Sequence, residues 1–167
     1  MALNGFTYNV TWSDFSILQS RPANVKEDAQ IHPEIRPSNF KLGKRGREVI
    51  IKDVQIDIAL VSSDCWVLAS QSSNVALLKH EQGHYDIVAL SARELFNSFL
   101  NLSAVSTHKL QEKASALQNS MQTKIELVNK RYEEKTKNSR DKAEQAKWDK
   151  SLATEKQKPD GSIDNLP

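Results

Sequence analysis

The apolar residues from position 75 to position 152 recur at the spacing of an α-helix, and this stretch most constrains the fold. The pattern breaks over 101–106, and it fades after Tyr132, where Trp148 is the only large apolar residue before Leu152. It therefore predicts a first helix over 75–100, with an N-terminal cap from the Ser and Asn residues of 72–74, and a second helix over 107–152. Along the second helix, seven residues alternate in steps of three and four and predict a seam that packs on the first: Leu110, Ala114, Leu117, Met121, Ile125, Val128 and Tyr132.

The N-terminal part of the chain has the pattern of strands. Residues 49–61 alternate apolar and polar side chains, which predicts a half-buried strand, and 65–69 predict a second strand that forms an antiparallel hairpin with it. β-branched and aromatic residues in 8–18 favour another short strand. The stretch 20–48 contains three prolines and two glycines, so we predict a loop with one short strand near 29–35.

Composition narrows the range of partners. The 23 basic and 21 acidic residues are interleaved and leave a net charge of +2, so the sequence predicts no nucleic-acid partner. No apolar run approaches the roughly 18 residues of a membrane helix, and the first ten residues lack the pattern of a signal peptide. The single cysteine, Cys65, has no second cysteine with which to form an internal disulfide.

Residues 80–84 read HEQGH, an H-E-x-x-H motif inside the first predicted helix. Residues four apart lie on one face of a helix, so His80 and His84 are the predicted ligands of a zinc ion. Glu81 is the predicted catalytic base, which takes a proton from a water whose pKa the zinc lowers to about 7. The alternative is a pair of surface histidines on an amphipathic helix.

A catalytic zinc ion usually has three protein ligands, and the first helix cannot supply the third, because its later residues move away along the axis. We therefore expect the third ligand from the second helix. His32, in a loop flanked by proline, is a poorer candidate. The second helix offers six side chains: His108, Glu112, Glu126, Glu133, Glu134 and Asp141.

The run LLKHEQGHYDI at 77–87 resembles the bacterial domain family DUF922, whose members read L-L-x-H-E-Q-x-H-F-D-I and are regarded as zinc-dependent proteases. TWSDF at 11–15 is similar to the family's W-x-D-F, and CWV at 65–67 to its S-W-V. The family's Y-D-x-E-T-x-H-G…Q-x-x-W signature resembles residues 132–148. The resemblance extends over about 8–152.

The chain departs from that signature at three positions. Asn138 stands where the family has His, Ser139 where it has Gly, and Lys135 where it has Glu. If the family histidine is a zinc ligand, its replacement here is a poor one, since a neutral amide oxygen binds zinc weakly. Glu134, one helical turn earlier, would complete a His-His-Glu set, and we predict Glu134 rather than Asn138 as the third ligand.

The resemblance implies an α+β fold of the minimal zincin type, with a small antiparallel sheet packed on the HExxH helix and on a long C-terminal helix. We expect one domain over 1–155 and a flexible tail over 156–167. The implied function is that of a zinc metallopeptidase that hydrolyses a peptide or protein substrate. If a leader has been removed, the resemblance implies a periplasmic or secreted protein.

Two interpretations stay open beside this one. The chain is alternatively a catalytically degenerate zincin-like domain with an interaction or structural role, which the departures at 135 and 138 favour. Tyr132 is either a core aromatic of the helix seam or a hydrogen-bond donor to the oxyanion of the reaction. In the peptidase, Trp66 and Val67 would lie on the strand nearest the substrate, where an extended peptide adds by backbone hydrogen bonds.

Overall fold

Helix α1 (Val75–Leu100) runs through the centre of the molecule, in a computed structural model that describes residues 2–167. Its middle turns are buried on all sides, with Ile87, Ala89 and Leu90 fully inaccessible to solvent. The predicted bounds of this helix are confirmed. Asn74 caps it, because its side-chain oxygen accepts hydrogen bonds from the backbone N–H groups of Ala76 and Leu77, both at 3.1 Å.

Two mixed sheets and two further helices surround α1, which confirms the predicted α+β class. None of the helices within 2–167 has both the length and the apolar composition needed to cross a membrane. The strands are β1 (Ala2–Asn4), β2 (Ser16–Leu18), β3 (Ala29–Gln30), β4 (Pro33–Arg45), β5 (Glu48–Leu60), β6 (Trp66–Leu68) and β7 (Ser103–Ala104). The other helices are α2 (Thr107–Thr136) and α3 (Lys142–Gln157).

The predicted hairpin of β5 with β6 is wrong, because the two strands belong to different sheets. In the first sheet, β5 pairs in parallel with β1 and antiparallel with β4 and β7. In the second sheet, β6 lies between β2, to which it is parallel, and β3, to which it is antiparallel. The hairpin partner of β5 is β4, within the stretch that the sequence predicts to be mainly loop.

Strand β4 accommodates its prolines because it is the outer strand of the first sheet. Proline cannot donate a backbone hydrogen bond, so it is tolerated where one side of a strand has no neighbour. The hairpin turn to β5 consists of Gly46 and Arg47, between the paired residues Arg45 and Glu48. Gly46 has a φ of 63°, a left-handed conformation that glycine adopts without steric cost.

The predicted helix over 107–152 is two helices. Residues 137–139 have φ values of 51°, 55° and 67°, and such left-handed residues end a helix. Asp141 then caps α3, where its side chain accepts from the backbone N–H of Glu144. The predicted seam of α2 is largely confirmed. Its buried members are Leu110, Met121, Ile125, Val128 and Tyr132, while Ala114 and Leu117 are partly buried against the core.

The C-terminal stretch, predicted to be a flexible tail over 156–167, is packed in the structure. Helix α3 continues to Gln157, and a short 3-10 helix follows at Ile163–Asn165. Ile163 and Leu166 are buried, and the Ile163 N–H donates to the Glu94 carboxylate at 2.6 Å. Burial of these two side chains, together with hydrogen bonds such as that from Arg93 to the Gly161 carbonyl oxygen at 3.0 Å, holds the segment against the helices, which its polar composition does not indicate.

Candidate metal centre

His80 and His84 converge on one carboxylate oxygen from the neighbouring helix. The Nε2 atoms of His80 and His84 lie 3.2 Å and 2.7 Å from Oε1 of Glu133. The two histidines project from consecutive turns of α1, and Glu133 projects from the last turns of α2. One ligand atom from each of the three residues lies within 4.8 Å of the others, so the group could hold a metal ion.

The orientation of His80 is fixed by a chain of hydrogen bonds behind it. Its Nδ1 lies 3.0 Å from Oε1 of Gln145, and Nε2 of Gln145 donates to the carboxylate of Asp149 at 2.8 Å. Because a carboxylate only accepts, Asp149 sets the direction of the Gln145 amide. The Gln145 oxygen therefore accepts a hydrogen bond from the N–H at Nδ1 of His80, and Nε2 of His80 is left as a ligand atom. Lys79 pairs with the far side of Asp149 at 2.7 Å.

His84 has a matching partner, with its Nδ1 2.7 Å from Oδ1 of Asn129 on α2. If both Nδ1 atoms carry the proton, neutral imidazoles turn two lone pairs toward the Glu133 carboxylate. That arrangement is repulsive unless each ring takes up a second proton or a cation lies among the three groups. The second oxygen of Glu133, Oε2, is buried without a hydrogen-bond partner in residues 2–167. An orphaned carboxylate oxygen beside two imidazoles fits a cation.

The donor set is compatible with zinc. Two imidazole nitrogens and one carboxylate oxygen form the protein ligand set of catalytic zinc sites of the His-His-Glu type. Hydrogen bonds from the far ring nitrogen to an amide oxygen are the usual support of such histidines. Burial raises the pKa of Glu133, but the hydrogen bonds to His80 and His84 and their charges outweigh it and lower this pKa to about 2.

Glu133, rather than the predicted Glu134, is the acidic member of the group. Glu134 points to solvent, where it lies 4.0 Å from Lys130. Asn138 lies in the left-handed turn after α2. The third member does come from α2, within the window that the sequence indicates. The family signature contained the missed signal, because its Y-D places an acidic residue directly after Tyr132.

The remaining predicted candidates lie elsewhere. His108 is exposed at the start of α2 and lies 3.2 Å from Glu112. Asp141 caps α3, and His32 lies 3.4 Å from Asp64 on the surface. These residues do not join the His-His-Glu group.

Glu81 is buried beside this group, at 3% exposure. The backbone N–H of Ile31 hydrogen-bonds to its carboxylate. Burial raises the pKa of Glu81 from 4.5 to about 7, and the charge of His80 offsets only part of this shift. A carboxyl with a pKa near neutrality can both accept and release a proton at physiological pH. Its assignment as catalytic base stays a prediction.

Tyr132 is a core residue that supports His80. Its ring stacks on the His80 imidazole, with centroids 4.7 Å apart and planes 15° apart, and its hydroxyl donates to the His80 carbonyl oxygen at 3.1 Å. The same hydroxyl accepts from Nε2 of Gln145 at 2.6 Å. With no exposed surface, the hydroxyl is committed to this network and is not placed to donate to a substrate.

Strand β6 cannot be the strand to which a substrate peptide adds. Trp66 and Val67 are hydrogen-bonded in register to β2 on one side and to β3 on the other. Both edges of β6 are therefore occupied, and both side chains are buried. The sequence motif at this position is explained by packing in the centre of the second sheet.

The fold and the cluster together define an α+β protein with a histidine–carboxylate group that could hold a metal ion. A family model described as "Bacterial protein of unknown function (DUF922)" matches residues 70–141. The matched segment includes all three residues of the cluster and supports the resemblance that the motifs indicate. No curated protein and no solved structure matches the chain.

Proposed function

We propose that this chain is a zinc-dependent peptidase that hydrolyses peptide bonds in a peptide or protein. The observation that carries the proposal is the convergence of His80, His84 and Glu133 on one point, with the buried carboxyl of Glu81 one residue from the first ligand. The motifs at 77–87 and 132–148, which resemble a family regarded as zinc-dependent proteases, support the same reaction.

The residues of the chain have separate roles in this proposal. His80, His84 and Glu133 hold the ion, which when bound supplies a Lewis acid at neutral pH. Gln145 and Asn129 hold the two imidazole rings so that Nε2 faces the ion. Glu81 takes a proton from the attacking water and passes it to the nitrogen of the leaving amine, a transfer suited to a carboxyl with a pKa of about 7.

A non-catalytic, structural metal site is the second candidate. His80 and Glu81 are 1% and 3% exposed, so the cluster is largely closed to solvent, as structural metal sites are. The peptidase requires Glu81 as its base, whereas a structural metal site does not.

Metal analysis and a peptide-cleavage assay test the proposal together. We expect about one zinc per chain after purification with zinc, and cleavage of a quenched fluorescent peptide library. Glu133→Gln should lose both, whereas the matched control Glu134→Gln, one residue away and exposed, should keep both.

The variant Glu81→Gln separates the two candidates. It should bind zinc as the native chain does and cleave nothing, since an amide keeps the shape but cannot accept the proton. A chain that binds zinc through the cluster but cleaves no peptide would support the structural site instead. Zinc retained by both His84→Ala and Glu133→Gln would contradict either candidate.

A further inference from the structure

A groove of about 360 Å³ opens next to the His-His-Glu group. One wall is the chain at 31–35, which leads into β4, and the other is the 122–129 portion of α2. His84 and Val88 of α1 form part of its lining. Its volume is within the range of about 300–1,000 Å³ found for sites that bind small ligands. Since His84 and its hydrogen-bond partner Asn129 both line the groove, the groove adjoins the metal centre.

The lining of the groove is mixed, with aliphatic and polar residues in equal number. Ile31, Ile35, Val88 and Ile125 contribute branched side chains, and Ile35 is only half-buried. Of the ten described residues that line the groove, Glu126 carries the only carboxylate, and none is a lysine or arginine. Glu126 is exposed, and its hydrogen bond comes from the neutral amide of Gln122 at 2.9 Å.

The wall at 31–35 offers a strand edge to an extended chain from residue 34 onward, because the N–H groups of Ile31 and His32 are bonded to Glu81 and Cys65 and Pro33 has none. Strand β4 is the outer strand of its sheet, and its first residues, Pro33 and Ile35, line the groove. An outer strand can take up an extended peptide, whose backbone lies along the strand while alternate side chains enter the adjacent pocket. This is the position that the sequence assigns to β6, and β6 has no free edge.

We propose that this groove binds the substrate, and that it selects peptides with a leucine-like aliphatic side chain next to a basic residue. The aliphatic side chain occupies the space lined by Ile35, Val88 and Ile125, and the basic side chain pairs with Glu126. This selection rests on the proposed peptidase function, because the groove is assigned to the substrate on the ground that His84 belongs both to the groove and to the metal centre.

Binding to the zinc-loaded Glu81→Gln chain tests this without cleavage. The probes are hexapeptides with a central Leu-Lys or Lys-Leu pair, and the same peptides with Ala for Leu or Gln for Lys. We expect the Leu peptide to bind about tenfold more tightly than the Ala peptide in calorimetry, given the three carbons removed and a groove that is open on one side. Amide chemical shifts should change at 31–35 and 122–129.

Variants of the lining provide the matched controls. Ile35→Trp and Gln122→Trp fill the groove from opposite walls and should each weaken binding of the Leu peptide at least fivefold. If one of them fails to fold, the other still tests the groove. Leu127→Trp is the control, since Leu127 is 64% exposed on the same helix and does not line the groove. Glu126→Gln should weaken binding of the Lys peptide about two- to fivefold and leave the Gln peptide unaffected.

The outcomes distinguish this inference from the peptidase itself. If the native chain cleaves peptides without preference for the aliphatic residue, the proposed groove selectivity is wrong and the proposed peptidase function stands. If the Leu peptide binds with the expected chemical-shift changes but the native chain never cleaves it, the groove is a peptide-binding site and the proposed peptidase function is wrong. Equal binding of the Leu and Ala peptides, binding elsewhere, or no binding at all overturns the groove.

Discussion

Gly83, between the two candidate zinc ligands, is required by the packing of Tyr132. A Cβ atom at position 83 would lie 2.7 Å from Cζ and 3.1 Å from Cε1 of Tyr132, and closer still to its hydroxyl. Real Cβ atoms do not approach other atoms so closely, and Tyr132 has no exposed surface into which to move. The substitution Gly83→Ala must therefore displace the ring that stacks on His80.

The loss of stability in Gly83→Ala is the sum of two destabilising contributions and one stabilising contribution. Overpacking of a core costs about 1–3 kcal/mol. The Tyr132 hydroxyl also loses its hydrogen bonds to His80 and Gln145, at about 1 kcal/mol each. Alanine returns about 1 kcal/mol through its higher helix propensity. We expect a net loss of about 2–4 kcal/mol, and hence a fall in melting temperature of about 4–16 °C for a chain of this length.

Thermal unfolding of metal-free protein by circular dichroism measures this loss. Gly43→Ala is the control, because a Cβ there meets only ordinary contacts, the nearest at 3.4 Å from Lys52, and its stability should change little. Replacing Tyr132 with leucine in the Gly83→Ala background should recover part of the loss. A Gly83→Ala chain as stable as the native one would refute this prediction, because the expected clash with Tyr132 would then have no effect on stability.

Three further changes test other parts of the structure. Gln145→Ala should weaken zinc affinity about 10–100-fold in a competition titration, because His80 loses its support; Gln118→Ala should not. Burial holds a proton on Glu81 between pH 4.5 and about 7, so the metal-free chain should lose up to about 3 kcal/mol of stability as pH rises through that window. Glu81→Gln should abolish this loss in denaturant titrations. Ile163→Ala should destabilise the chain by about 2–5 kcal/mol, whereas a loose C-terminal segment predicts no change.

The first helix could be predicted closely because its local signals agree. Asn74 supplies the cap, apolar residues follow at helical spacing, and the pattern stops at Asn101. The break between α2 and α3 has a weaker signal, the fading of the apolar stripe after Tyr132. Residues 137–139 are Lys, Asn and Ser, and only the asparagine is a residue that often adopts the left-handed conformation found there. Because neither proline nor glycine interrupts residues 107–152, the sequence predicts one helix where the structure has two.

The sheets were predicted poorly because pairing depends on partners that are distant in sequence. The alternation in β5 indicates a strand but not its neighbours, which are β1, β4 and β7. Proline and glycine in β4 argue locally for a loop, and only its position at the outside of the sheet makes them compatible with a strand. Local composition cannot reveal which strand is the outer one.

The choice between Glu133 and Glu134 could have been made from the phase of α2. The buried residues Ile125, Val128 and Tyr132 mark the face that packs on α1, and each residue turns the helix by about 100°. Glu133 follows Tyr132 by one residue and lies one turn after Asn129, the partner of His84. Glu134 is a further 100° away from that face and reaches solvent. The seam of α2 can be seen in the sequence, so its phase favours Glu133. The prediction of Glu134 follows instead from the position of the family's histidine, and it is wrong because it neglects this phase.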